Sequence, residues 1–189
     1  MYDFKLMDVS IFSPLCVDLD GTLIKSDVLC IAWKQLLKKN VLHAITILFA
    51  LRKGRAFFKQ QLAKVSPVSS EQLDYNLPFL EFLRHYKEQQ SGTLVLATAT
   101  DIGFAQPIAD YLRIFDLVIA SNGHKNLRAK AKADILSEKF GYKQYTYAGN
   151  SYDDIAVWDC SRRAISVNLS LRARYALKDR HLTFDLSFE

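Results

Sequence analysis

The chain has 189 residues, half of them are apolar, and its formal net charge is +5 at pH 7. This length suits one domain, or a core with a modest insertion, and it is long enough to bury a substantial core. The basic excess favours anionic substrates or surfaces, but the sequence lacks helix-turn-helix, zinc-finger and RNA-binding signatures, so we predict no nucleic-acid partner.

The cysteines and the apolar windows indicate the compartment. Three scattered cysteines without metal-ligand spacing are typical of free thiols in a reducing environment. The N-terminus carries no basic segment followed by an apolar one, as a secretory signal would. The longest apolar window, residues 41–51, is shorter than the roughly 20 residues that span a bilayer. We therefore predict a cytoplasmic protein; membrane association stays open, although no transmembrane segment indicates it.

The first predicted element is a buried parallel strand over residues 15–19 that runs into two acids, Asp18 and Asp20. Strand side chains repeat every two residues, so both carboxylates point to the same side. They lie at the carboxyl end of the strand, where open α/β sheets bind ligands, and Gly21 permits the turn that follows. A strand that simply ends in a polar turn is the alternative interpretation.

Helical patterning follows as far as about residue 90. Apolar residues at spacings of three and four predict an amphipathic helix over residues 28–37. Residues 41–51 are apolar nearly all round, which is typical of a helix packed between others. A third helix is predicted over residues 55–64, and Pro67 marks a break before a further helix start at Glu71. This block therefore has the pattern of an inserted helical bundle.

Strands and helices alternate in the remaining chain. The predicted strands are residues 93–98, 117–120, 145–148 and 164–167, and the predicted helices are residues 104–112, 129–140 and 153–160. Such alternation predicts a parallel sheet with right-handed crossovers. Pro107 is awkward inside its helix unless it falls in the first turn. The tail from Leu169 has no role that the sequence indicates.

Polar residues recur where these predicted strands end. Thr98 closes one strand, the basic residues Arg128, Lys130 and Lys132 open a helix, and Asn150 begins a polar stretch that directly follows another strand. Each signal alone has an ordinary explanation: a strand-end hydroxyl, a solvated helix face, or a helix cap. It is improbable that all of these signals occur at equivalent positions of one sheet by chance.

These motifs resemble those of haloacid dehalogenase (HAD) superfamily phosphohydrolases of the phosphoserine-phosphatase-like subgroup. Residues 18–22 match the Asp-x-Asp-Gly-Thr motif, Thr98 matches the Ser or Thr that closes an apolar strand, and Lys132 matches the Lys near a helix start. Residues 149–154 stand where the family has Gly-Asp-x-x-x-Asp. The resemblance spans about residues 14–168.

The resemblance implies an α/β fold: a Rossmann-like HAD core with a parallel sheet flanked by helices, and a helical cap inserted after the first strand. The expected core comprises residues 1–24 and 91–189, and the expected cap residues 25–90. At residues 17–24, 96–101 and 148–158, the sequence is even more similar to the HAD-like domain that precedes UbiA-type prenyltransferases.

The resemblance also implies a role for each matched residue. Asp18 is the expected nucleophile, which forms an aspartyl-phosphate, and Asp20 is the expected general acid and base. The expected phosphate-binding residues are Thr98 and Lys132, and the expected ligands of Mg²⁺ are Asp18, Asp20, Asn150 and Asp154.

Two departures from the family pattern leave alternatives open. Asn150 stands where the family has a metal-binding Asp, so the ion has a neutral oxygen ligand there and binds more weakly unless an acid compensates. Asp153 and Asp154 both lie close enough in sequence, and the spacing favours Asp154. Arg128 and Lys130 compete with Lys132 for the phosphate-binding position.

The function implied is a Mg²⁺-dependent phosphatase that hydrolyses phosphomonoesters. Its expected substrate is a small phosphorylated metabolite or a phosphorylated protein side chain such as phosphotyrosine. The alternative is a catalytically weak or inactive HAD-fold domain with an interaction or regulatory role. The motifs do not separate hydrolysis from phosphotransfer, because one aspartyl-phosphate serves both reactions.

Overall fold

The computed structural model describes residues 9–89, 92–178, 180 and 182–188. Its strands are β1 (Leu15–Val17), β2 (Leu94–Asp101), β3 (Leu117–Ser121), β4 (Thr146–Gly149), β5 (Arg163–Val167) and β6 (Leu186–Phe188). They form one parallel sheet in the order β3-β2-β1-β4-β5-β6. The predicted α/β fold with a parallel sheet is confirmed.

The central strand β1 organises the sheet. Its three residues are fully buried, as expected of a parallel strand that is covered on both faces. Cys16 pairs with Val95 of β2 on one side and with Tyr147 of β4 on the other. The chain adds β2 and β3 on one side of β1 and β4 to β6 on the other, so the strand order reverses at β1. Such a switch point leaves a crevice at the carboxyl ends of the strands.

The helices are α1 (Val28–Lys39), α2 (Val41–Leu48), α3 (Arg55–Val65), α4 (Leu77–Glu88), α5 (Ile102–Leu112), α6 (Lys130–Phe140), α7 (Ile155–Trp158) and α8 (Leu171–Leu177). Asp27, Asn40 and Asn76 cap α1, α2 and α4, because each side chain accepts the backbone N–H of the residue three positions on. In the part of the chain that the structure describes, no helix has both the length and the apolarity to cross a membrane.

The predicted helices of the first half agree only in part with the structure. The apolar window 41–51 consists of α2 and a 3-10 turn, Phe49–Lys53. The helix start predicted at Glu71 is wrong, because Ser70–Gln72 form only a 3-10 turn. The next helix, α4, begins at Leu77, where the Asn76 side chain and a proline in the first turn favour a helix start.

Two further differences lie in the second half of the chain. Pro107 lies inside α5 and not in its first turn, so the helix lacks one internal hydrogen bond there. The predicted helix over residues 153–160 is a 3-10 turn, Tyr152–Asp154, followed by the short α7. The tail, whose role the sequence did not indicate, supplies β6 at the edge of the sheet.

The helical segment leaves and rejoins the core at neighbouring points. The N–H of Lys25 donates to the carbonyl of Asp74 at 2.9 Å, and the N–H of Asn76 donates to the carbonyl of Leu23 at 2.9 Å. The segment between these points contains α1, α2 and α3. Helix α4 instead packs on the sheet side, where the Phe82 ring lies 5.4 Å from the Phe188 ring. The division into core and cap at residues 25–90 stays a prediction.

Candidate active site

A cavity of about 560 Å³ opens at the carboxyl ends of β1, β2 and β4. Every residue that the sequence assigned to catalysis, phosphate binding or metal binding lines it: Asp18, Asp20, Thr98, Lys132, Asn150 and Asp154. The fold brings them together because these residues follow or end adjacent parallel strands, or open the helix that faces them. The helical segment supplies the opposite wall, which includes Leu51, Arg55, Phe58 and Lys59.

The loops after β1 and β4 touch at Gly21. This glycine has a φ of +75°, a conformation that residues with a Cβ adopt rarely. A Cβ at Gly21 would lie 2.1 Å from Nδ2 of Asn150, which is closer than nonbonded atoms approach. The glycine therefore lets the Asn150 amide pack directly over the turn that follows the two acids.

A buried ion pair joins α6 to the end of β1. Nζ of Lys132 donates to Oδ1 of Asp18 at 2.8 Å and to the hydroxyl of Tyr147 at 2.7 Å. Burial alone would lower the pKa of Lys132, but the charges of Asp18 and Asp154 outweigh it and raise that pKa. Burial raises the pKa of Asp18 to about 7, although the Lys132 charge opposes the rise. The lysine therefore stays protonated beside the carboxylate.

Asp154 is held by donors of the chain itself. Its Oδ2 accepts from the N–H and the hydroxyl of Ser151 and from the N–H of Asn150, at 2.8 to 3.1 Å. Its Oδ1 accepts from Tyr147 at 2.6 Å and from Lys132 at 3.4 Å. Burial disfavours the charged form, but Lys132 and these donors lower the pKa of Asp154. Asp154 therefore orients Lys132, and its role as a direct metal ligand stays a prediction.

Two donors hold the carboxylate of Asp20. Oδ1 accepts the backbone N–H of Val28 at 2.8 Å, and Oδ2 accepts the hydroxyl of Thr100. Burial, together with the nearby charge of Asp27, raises the pKa of Asp20 to about 6. A carboxyl group with such a pKa exchanges a proton near neutral pH, as a general acid and base must.

Thr98 and Thr100 lie near the end of β2, which the structure extends to Asp101. Thr98 is fully buried, and its Oγ1 accepts the N–H of Thr100 at 3.0 Å. The sequence assigned a role to Thr98 but not to Thr100, whose contact with Asp20 spans 80 positions of the chain. The only available signal was that Thr98 and Thr100 share one side of a strand.

The three basic residues near the start of α6 occupy different environments. Lys132 is 3% exposed and faces Asp18. Arg128 lines the cavity, where Nε lies 2.6 Å from Oδ2 of Asp153 in a partly exposed ion pair. Lys130 is exposed, and it is not among the residues that line the cavity. The structure therefore places Lys132 closest to the expected nucleophile, as the sequence motif suggested.

The sequence also missed Tyr147 and Lys59. Tyr147 lies in β4, where an aromatic residue in an apolar strand is usually core, and burial raises its pKa well above the ordinary value. Lys59 of α3 donates to the Ala99 carbonyl at 2.5 Å and to Oδ1 of Asn126 at 2.9 Å. Burial lowers the pKa of Lys59. It is one cation among eight between Asp27 and Glu71, so no sequence pattern distinguishes it from the others.

The donor set of the cavity fits a hard divalent cation. Oδ1 of Asn150 is buried and has no hydrogen-bond partner among the described residues. An amide oxygen without a donor, close to carboxylates, suits a cation such as Mg²⁺. No group of three or more His, Cys, Asp or Glu residues that could hold a metal ion occurs in the described parts of the chain. Beside the carboxylates, the Asn150 amide oxygen is thus the further oxygen ligand that the cavity offers to a cation.

Sequence comparison finds one longer relative. No protein-family model matches the chain. The uncharacterized protein y4nM of Sinorhizobium fredii is 31% identical over 180 residues, which are 94% of this chain and 34% of the relative. The chain thus spans about a third of the length of the curated relative that it matches.

Several solved structures superpose on most of the chain. A HAD family hydrolase, t0658 of Salmonella enterica serovar Typhi, has a TM-score of 0.64 at 12% identity, over 85% of this chain and 64% of that protein. A substrate-bound phosphoserine phosphatase has a TM-score of 0.62 at 12% identity, over 93% of this chain and 91% of that one. A phosphoserine phosphohydrolase-like protein of Francisella tularensis has a TM-score of 0.57 at 15% identity, over 92% and 93%. The chain therefore has the fold of HAD-family hydrolases, of the phosphoserine-phosphatase-like kind.

Proposed function

We propose that the chain is a metal-dependent phosphatase that hydrolyses phosphomonoesters through an aspartyl-phosphate on Asp18. The observation that carries this proposal is the contact between Asp18 and Lys132 at the end of β1, with Asp20 held two residues further on. A carboxylate nucleophile, a fixed cation and a second carboxyl group whose pKa is about 6 are the groups that this reaction needs.

Asp18 attacks phosphorus in the first step, and the bond from phosphorus to the leaving oxygen breaks. Asp20 donates its proton to that oxygen. In the second step Asp20 takes a proton from water, whose oxygen attacks phosphorus; the bond from phosphorus to Asp18 breaks, which restores the carboxylate and releases inorganic phosphate. Thr98 and Lys132 bind the phosphoryl oxygens, where the buried lysine stabilises the negative charge that develops.

A divalent cation, which we infer to be Mg²⁺, would be held by Asp18, the main-chain carbonyl of Asp20 and the amide oxygen of Asn150, with Asp154 as a further predicted ligand. When bound, it offsets the repulsion between the attacking carboxylate and the phosphoryl oxygens. The unpartnered Asn150 oxygen supports this assignment.

The wall of the cavity favours an anionic substrate of modest size. Lys25, Arg55, Lys59 and Arg128 add positive charge around the opening, and Leu29 and Phe58 add apolar surface. These features suit a small phosphorylated metabolite, and they equally suit a phosphorylated side chain that reaches into the cavity from a protein. We propose phosphomonoesters as the substrate class on this basis.

One observation favours a second function, that of a weakly active or inactive binding domain. Asn150 provides a neutral oxygen where an acid would bind Mg²⁺ more strongly. Such a domain would retain the fold and bind phosphate or a phosphorylated partner between Asp18 and Lys132 without turnover.

Phosphate release from an aryl phosphate, measured with Mg²⁺ and with EDTA, separates these functions. If the protein is a phosphatase, it releases phosphate only with Mg²⁺. The substitution Asp18→Asn should then lower the rate of release at least about a thousandfold. Asp153→Asn is the matched control, because this acid also lines the cavity but pairs with Arg128. If the wild type releases phosphate in Mg²⁺ no faster than folded Asp18→Asn does, the result would favour the binding domain.

A further inference from the structure

The helical segment presents an uncovered apolar face. Helix α2 is apolar almost all round, yet it buries only Ala44 and Ile47. The exposed apolar side chains of α2 and the 3-10 turn that follows it are Val41, Leu42, Ile45, Leu48, Phe49 and Leu51. Leu42 is 77% exposed and Phe49 is 55% exposed. Single exposed apolar residues are ordinary, but a contiguous set on one helix and turn marks a surface that contacts something else.

Basic residues flank this apolar set along the chain. The chain has no acidic residue between Asp27 and Glu71 but has eight lysines and arginines there. Lys38 and Lys39 precede α2, and Arg52 and Lys53 follow its apolar residues; all four are exposed. We call these four cations and the six apolar residues the apolar-basic face.

Two of the four cations lie over aromatic rings, Arg52 over Phe49 of the face and Lys53 over Phe57 of α3, beside it. The guanidinium of Arg52 lies 4.9 Å from the centre of the Phe49 ring, and Nζ of Lys53 lies 5.1 Å from that of Phe57. The partner that covers the apolar-basic face must therefore offer apolar contact and negative charge at the same depth. The boundary between the headgroups and the acyl chains of an anionic bilayer does so.

We propose that the apolar-basic face docks the protein onto the surface of an anionic lipid bilayer. The apolar side chains of α2 enter the boundary region, and the four cations contact the headgroups. This mode needs no spanning segment, in keeping with the helix lengths that the structure describes. A second copy of the chain is a poorer partner, because it would bring the same four positive charges against this face.

The apolar-basic face adjoins the mouth of the cavity. Leu51 belongs to the face and also lines the cavity. Arg55, which follows the turn and is not part of the face, lines the cavity too. Docking would thus bring the cavity mouth close to the bilayer surface. The importance of this closeness for activity rests on the proposed function, whereas the docking itself does not.

Vesicle co-sedimentation of the 189-residue protein tests the docking. The vesicles are phosphatidylcholine alone or phosphatidylcholine mixed with phosphatidylglycerol, at low and at high salt. The wild type should bind the mixed vesicles at low salt and bind them less at high salt. The double variant Leu42→Ser with Leu48→Ser and the double variant Lys38→Gln with Lys39→Gln should each bind about tenfold more weakly or worse.

Matched controls change equally exposed residues elsewhere. Leu171→Ser with Tyr175→Ser removes two exposed apolar side chains of α8, and Lys139→Gln with Lys178→Gln removes two exposed cations. Both should bind as the wild type does. Thermal melts by circular dichroism establish that each variant is folded, and Asp18→Asn should bind vesicles like the wild type whether or not the protein is a phosphatase.

Three results would overturn the docking. The first is a wild type that stays in solution with the mixed vesicles at low salt. The second is a folded Leu42→Ser, Leu48→Ser protein that binds them as tightly as the wild type. The third is a dimer in sedimentation velocity that this double variant dissociates, because a second copy would then cover the face.

Discussion

The ammonium group of Lys132 lies 2.8 Å from Oδ1 of Asp18, and both side chains are buried at the switch point of the sheet. The same lysine also contacts Asp154 at 3.4 Å. One cation therefore balances two carboxylates away from water. This arrangement fixes the carboxylate that we propose as the nucleophile at the carboxyl end of β1.

Lys132→Met should destabilise the protein and abolish its activity. The substitution leaves Asp18 and Asp154 without their cation, and removal of one partner of a buried ion pair typically costs about 3 to 5 kcal/mol. Urea denaturation measures the change in the free energy of unfolding. Lys130→Met, on the same helix but exposed, should change that free energy by less than about 0.5 kcal/mol. Equal effects of the two substitutions would contradict the account.

Asp20→Asn should stabilise the metal-free protein above about pH 6. Burial raises the pKa of Asp20 from 3.8 to about 6, so between these values the folded chain binds the proton more tightly than the unfolded chain. The wild type therefore loses stability as the pH rises through this range, by up to about 3 kcal/mol. The asparagine cannot titrate, and its amide can still contact Val28 and Thr100.

Urea denaturation in EDTA at about pH 4 and about pH 7.5 measures this difference. The stability advantage of Asp20→Asn over the wild type should be large at the higher pH and small at the lower. An advantage of the same size at both pH values, or none at either, would show that Asp20 has an ordinary pKa.

Tyr147→Phe and Tyr145→Phe form a matched pair in one strand region. The Tyr147 hydroxyl contacts both Lys132 and Asp154, so its removal deprives each of these buried charged groups of one hydrogen bond and should cost about 1 to 3 kcal/mol. Among the residues that the structure describes, the Tyr145 hydroxyl makes a single contact, at 3.4 Å with Ser137, so its removal should cost less than about 1 kcal/mol. Thermal melts of both variants measure the difference, and a larger loss in Tyr145→Phe would refute the role assigned to Tyr147.

Asn150→Asp should strengthen metal binding. An acid at this position gives Mg²⁺ a charged ligand, so the apparent dissociation constant should fall about tenfold or more. Without metal, the added charge near Asp18 should lower the melting temperature. A Mg²⁺ titration followed by thermal shift measures both effects. Asn126→Asp is the control, because this amide lines the cavity but contacts Lys59; an equal gain there would indicate unspecific attraction.

The sequence predicted the strands well, and it predicted which polar residues the fold would bring to one cavity, because both depend on local order. An apolar strand followed by a polar turn predicts where a parallel strand ends, and such ends must meet at one edge. The contacts of Lys59 and Thr100 could not be predicted, because they join residues 40 and 80 positions apart. Tyr147 was missed because its ring belongs to the hydrophobic core, as the strand pattern indicates. Only its hydroxyl reaches the site, where it contacts Lys132 and Asp154.

Element boundaries failed where tertiary contacts decide them. Glu71 follows a Ser pair in a typical helix-start pattern, but the chain there makes only one 3-10 turn before Asn76 caps α4. The edge strand β6 has three residues, which is too short for a sequence pattern, and it is fixed by pairing with β5. The prediction that residues 41–51 pack between other helices is wrong, because α2 buries only Ala44 and Ile47 and the number of residues that meet the core depends on tertiary contacts.

The most direct test of the account is to locate a covalent phosphoryl group on the protein. The wild type is mixed with an aryl phosphate and Mg²⁺, quenched in acid within the first turnover and analysed by peptide mass spectrometry, with Asp153→Asn as the control. The proposed mechanism predicts the mass of one phosphoryl group on the peptide that contains Asp18, in the wild type and in the control, and none in Asp18→Asn. Turnover without that adduct at any quench time, or turnover that persists in Asp18→Asn, would contradict it.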